Sequence, residues 1–171
     1  MKDSEYNFLK KLVKRFQTMM SSGDVAYFDQ DELIDIIDFY LYEFEIDHAE
    51  QAIDYALSFY PDQPLFRLQK VKKLIMEFEF EAAKKELQEM ENQYAPTVEF
   101  FIEKIFLTEI VTPDADISGF LEKAYSLDPN NPDLHFFYAG EAIKNGNLSK
   151  ALDHSLILLK ESKYGQPQQS P

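Results

Sequence analysis

Glu43-Phe44-Glu45-Ile46 recurs as Glu77-Phe78-Glu79-Phe80, 34 residues later. Working outward from that pair, the same interval returns in whole multiples. Ala49 is followed by Ala83 at one step and by Ala151 at three, while Pro61 and Pro129, Pro64 and Pro132, and Ala56 and Ala124 each stand two steps apart. Ile53, Leu87 and Leu121 keep an apolar residue at this spacing, and Ser155 breaks it in the last copy. A fixed period of this length marks stacked supersecondary units, each too small to bury its own apolar surface.

The units read as helix pairs. Apolar residues recur at three- and four-residue intervals, strand-type alternation is weak, and the five Gly and eight Pro lie mostly between such stretches. The fold class is therefore all-α. Ser4 to Met20 carries Leu9, Leu12, Val13, Phe16, Met19 and Met20 on one stripe and stops at Ser21-Ser22-Gly23-Asp24. Asp29 and Glu32 have the spacing of a capping box ahead of Leu33, Ile36, Ile37 and Tyr40, and Asp47 and Glu50 offer a second box. Pro64 and Pro132 suit the first turn of later helices, where a missing N–H costs nothing. Thr112 with Pro113 is expected to open another helix, its start charged by Asp114 and Asp116.

A 34-residue helix–turn–helix unit with a small residue early in its second helix and a proline at its end resembles the tetratricopeptide repeat, in particular bacterial members of general interaction type. Tyr40, Ala49, Ala56 and Pro61 match the family positions in the first unit. Gly146-Asn147 matches the inter-helix turn in the last, and Ala124 through Asn131 resembles the typical unit ending. The sequence departs from the family at Leu33, Arg67, Phe101 and His135, at Ile37, Val71, Ile105 and Ala139, and at Ile117, which replaces the small residue. The resemblance implies a right-handed superhelical solenoid of about four repeats, 30–63, 64–97, 98–131 and 132–164. An N-terminal capping helix and connector precede it at 1–29, and a disordered tail follows at 165–171.

The resemblance also implies that the first helix of each unit lines a concave groove. The corresponding residues are Ile34, Asp38, Leu41 and Tyr42; Leu65, Leu68, Lys72, Ile75 and Met76; Glu99, Ile102, Phe106, Glu109 and Ile110; and Phe136, Ile143 and Lys144. Asp31, Glu99 and Asp133 form an acidic rim. Family members that clamp a C-terminal carboxylate use basic or amide side chains where this chain has Ile34, Asp38, Gln69, Glu99 and Glu103. The expected occupant is thus an apolar or amphipathic peptide with positive flanks.

Composition narrows the function. The chain has 171 residues, 45% of them apolar, with 15 Phe and 10 Tyr, enough for a sizeable core despite a net charge of −14. That charge disfavours nucleic acid. The absence of cysteine excludes disulfides, iron–sulfur ligation, thiol catalysis and cysteine-bearing zinc sites. No apolar run approaches the roughly 18 residues of a membrane span, and no signal peptide is visible, so a cytoplasmic location is expected. His48, His135 and His154 are isolated in sequence, and no phosphate loop, nucleophile elbow or calcium loop occurs. The expectation is a non-catalytic interaction scaffold with no cofactor or metal. Residues 1–20 carry +3 and the remainder −17, so an alternative is a membrane- or enzyme-associated adaptor working through a basic amphipathic N-terminal helix. In the final helix Leu148, Ala151, Leu152, Leu156 and Leu159 are expected to face inward. Ile157 and Leu158 are left over, and the apolar end is expected either to pair with a second copy as a homodimer through that helix or to mark a chain cut short of further repeats.

Overall fold

The computed structural model describes residues 3–161, and among them helices joined by turns and loops account for all regular structure. Helix α1 (Asp3–Ser22) precedes four pairs: α2 (Gln30–Tyr42) with α3 (Ile46–Phe59), α4 (Pro64–Met76) with α5 (Phe80–Gln93), α6 (Val98–Val111) with α7 (Ser118–Leu127), and α8 (Pro132–Lys144) with α9 (Leu148–Glu161). The first helices of the pairs begin at residues 30, 64, 98 and 132, one 34-residue step each time. The chain divides into two compact units, one ending at Tyr94 with α1–α5 and the other beginning at Ala95 with α6–α9. The expected tail at 165–171 and the end of the fourth repeat lie outside the described residues.

Local chemistry explains most helix starts. Asp29 accepts the Glu32 N–H at 2.8 Å while Glu32 accepts the Asp29 N–H at 3.1 Å, completing the capping box of α2. Thr97 and Asn131 cap α6 and α8, and Pro64 and Pro132 occupy first turns. Two expected caps do not form. The turn after α2 brings the chain round early enough for α3 to start at Ile46, so Asp47 is already helical and the N-cap Glu45 makes no side-chain cap. Thr112 instead closes α6, and Asp116 accepts the Ser118 N–H at 2.9 Å at the start of α7. Helix α7 begins at 118, four residues later than the repeat interval from α5 places it. Ile117 is fully buried where the other pairs carry alanine, and an isoleucine cannot fit a close helix crossing of the same geometry.

Three of the turns within pairs are built alike. Phe44 N–H donates to Leu41 C=O and Glu45 N–H to Tyr40 C=O. Phe78 with Glu79, and Gly146 with Asn147, repeat the same two bonds. This is the Schellman geometry, which needs a left-handed residue at its centre. Gly146 supplies it with φ +71°, but Phe44 and Phe78 adopt φ +58° and +62°. A side chain in that conformation costs about 1–2 kcal/mol.

In the first unit, α1 lays Leu12, Val13, Phe16 and Met19 against Leu33, Ile36, Ile37 and Tyr40 of α2 with Leu9 partly buried beside them, so most of its expected stripe is core, while Met20 at the end of the stripe is exposed. Phe16 meets Phe28 and Tyr55 edge-on at 5.5 and 5.4 Å, and the Tyr55 hydroxyl donates to Ala26 C=O at 3.0 Å, fixing the connector. Ala49 and Ala83 are fully buried, as minimal side chains must be where paired helices cross. The second unit buries Phe101, Ile105, Ile117, Leu121, Leu134 and Phe137. Its last helix differs from expectation. Ala151 is buried, whereas Leu148, Leu152, Leu156 and Leu159 are 45–71% exposed and Ile157 and Leu158 are half-buried. Helix α9 instead turns Ala151 inward and lays His154 against His135 and Tyr138 of α8, which leaves the leucine stripe on the opposite, outward side.

Candidate functional site

Of the residues expected to line a groove, those in the second unit form a face. On α6, Phe106 and Ile110 are 45% and 40% exposed and Ile102 is half-buried, all on one side of the helix. On α8, Phe136 and Ile143 are 63% and 60% exposed. Gly140 lies between them, and a Cβ added there would meet no atom within 4 Å, so open space lies over it. Lys144 ties α8 to α6 by donating to Glu109 at 3.0 Å, and it also donates to Glu141 at 2.9 Å. Those two hydrogen bonds, with Glu141 the larger cause, raise the Lys144 pKa. Its charge is thereby offset at the edge of the face, while Glu99 and Asp133 stand exposed at the helix starts.

The first unit distributes its expected groove residues differently. Leu41, Leu68 and Ile75 are core residues. Ile34, Lys72 and Met76 are half-buried, and Asp31, Asp38, Tyr42 and Leu65 are exposed. Asp38 accepts a 2.8 Å hydrogen bond from Gln69 Nε2, joining α2 to α4. Gln69 is buried with Oε1 unbonded, and Glu103 is buried too.

Polar pairs hold the helices of a pair together, and sequence reading missed them. Arg67 Nε donates to Glu86 at 2.6 Å, and Lys70 donates to the same carboxylate at 3.2 Å. Burial alone raises the Glu86 pKa, but these two cations outweigh it and leave the group below its usual range. Two repeats later, His135 and His154 face each other with Nδ1 atoms 3.0 Å apart, and Tyr138 stacks on His154. Arg67/Glu86 and His135/His154 share a separation of 19 residues, so the period held the signal. Among the described residues no group of three or more His, Asp or Glu side chains is placed to hold a metal ion.

No protein-family model matches this chain, and neither a curated protein nor a solved structure does. Among the described residues no helix is long and apolar enough to cross a membrane.

Proposed function

We propose that the chain is a non-catalytic interaction scaffold of tetratricopeptide type, working in the cytoplasm, that docks an apolar or amphipathic peptide segment with positive flanks. The observation that carries this reading is the exposure of Phe106, Ile110, Phe136 and Ile143 around the open surface at Gly140, bordered by Glu99, Glu109 and Asp133. Exposed aromatic and aliphatic side chains on neighbouring helices suit anchor residues of a bound peptide, and carboxylates at the border favour a cationic flank. A peptide array is the test. Enrichment of apolar anchors next to Lys or Arg, lost in a Gly140→Leu variant that places a bulky side chain between Phe136 and Ile143, supports the reading. Enrichment of acidic peptides with a free C-terminal carboxylate contradicts it.

A second surface favours self-association. The outward stripe Leu148, Leu152, Leu156 and Leu159 on α9 gives a continuous apolar helix face, and pairing it with its copy about a two-fold axis buries both. The adaptor reading of α1 finds less support, because the stripe it requires is packed on α2.

A further inference from the structure

We infer that Phe44 and Phe78 form a second docking surface, on the turn edge of the first unit, for a cationic amphipathic helix of a partner protein. This surface is independent of the face on α6 and α8. Both rings are almost fully solvent-exposed, at 78% and 79%, and both stand at the left-handed centre of their turn. The equivalent residue two repeats after Phe78 is Gly146, so the fold accepts the residue that local physics prefers. Two bulky apolar side chains are kept in that conformation one repeat apart, and both stay nearly four-fifths exposed although the Phe78 ring meets Phe80 edge-on at 6.1 Å, so little packing offsets the strain. Such strain points to a role outside the folded core.

The surroundings define the occupant. Glu43 and Glu45 flank one ring and Glu77 and Glu79 the other, and all four are exposed. Glu45 pairs with His48 at 2.8 Å and Glu77 with Lys73 at 3.0 Å, so Lys73 tempers a strongly acidic edge. Apolar knobs ringed by carboxylates complement a surface of apolar sockets and Lys or Arg, with the cations free to lie on the ring faces as well. The same charge repels anionic lipid. Helix α2 packs on α4, and Phe44 and Phe78 each follow the last turn of one of these two neighbouring helices.

The chain contains no tryptophan, so Phe44→Trp and Phe78→Trp each provide a single emission reporter. The probe is an 18-residue helical peptide of Leu on one face and Lys and Arg on the other. Its Glu-for-cation counterpart and vesicles of phosphatidylcholine with phosphatidylglycerol serve as comparisons. The expected result is a blue shift of both reporters with the cationic peptide alone. Its affinity should fall at least tenfold in the Phe44→Gly, Phe78→Gly double variant, whose thermal midpoint stays equal or rises because glycine relieves the turn. Phe44→Asn with Phe78→Asn repeats the test with a residue that also tolerates the conformation. Unshifted reporters, undiminished affinity in the double variants, or equal response to the anionic peptide would overturn the inference. So would a shift produced by vesicles instead of peptide. A lowered midpoint in both double variants would overturn it as well, since the rings would then be structural.

Discussion

His135 and His154 hold the same register in α8 and α9 that Arg67 and Glu86 hold in α4 and α5. One position on the first helix and one on the second, 19 residues apart, thus carry an ion pair in one repeat and an imidazole pair in another. At an Nδ1 separation of 3.0 Å one ring must donate its proton to the other, and protonating both nitrogens breaks that bond.

This arrangement predicts an acid-sensitive α8–α9 contact. Burial, then the charges of His135 and Lys150, lower the His154 pKa, with Asp153 opposing them. Because the folded pKa lies below the unfolded value, the folded state binds fewer protons. The contribution to stability is therefore complete above the unfolded value of about 6.5 and is lost as pH falls through the depressed folded value. His154→Gln should show a shallower loss of thermal midpoint between neutral pH and pH 5 than the unaltered protein. Parallel curves would contradict the prediction.

Arg67 and Glu86 are both largely withdrawn from solvent, with side chains 14% and 10% exposed. Removing one partner leaves a carboxylate with only Lys70 beside it, so Arg67→Met should cost on the order of 3 kcal/mol in urea unfolding. Adding Glu86→Leu should recover most of that loss. A double variant no more stable than the single one would show that the pair does not account for it.

Ala83 is fully buried at the α4–α5 crossing. Ala83→Leu should overpack this contact by about 1–3 kcal/mol. An unchanged thermal midpoint would mean that the alanine recurrence does not mark close helix approach.

These residues show what the period reveals and where it stops. The interval from Glu43-Phe44-Glu45 to Glu77-Phe78-Glu79 anticipates helix pairs, and Pro64, Pro132 and the Asp29/Glu32 box locate helix starts because each acts within one turn of chain. Helix α9 resists such reading. Its apolar residues at 148, 151, 152, 156, 157, 158 and 159 fit two overlapping stripes, and only packing against α8, where His154 meets His135 and Tyr138, selects which one is buried. Likewise, Leu41, Leu68 and Ile75 sit in a register shared by groove and core, and packing of neighbouring helices decides between them. The His135/His154 pair is invisible to searches at three- and four-residue spacing because its partners lie on different helices.

The outward leucines of α9 predict concentration-dependent association. Leu152→Lys with Leu156→Lys should yield a monomer in sedimentation runs over a concentration range where the unaltered chain dimerises. An unaltered chain that stays monomeric throughout would leave the stripe without that role.

The scaffold reading rests most directly on the face formed by α6 and α8. Fluorescence anisotropy with a labelled peptide of Leu and Phe anchors between Lys flanks, comparing the unaltered protein with Phe106→Glu, Phe136→Glu, measures that face alone. Both substituted positions are already exposed, so the fold should persist with its circular dichroism unchanged. The account predicts saturable binding that weakens at least tenfold in the variant, about 1.4 kcal/mol. Equal affinity for both proteins, or no saturable binding to either, would contradict it.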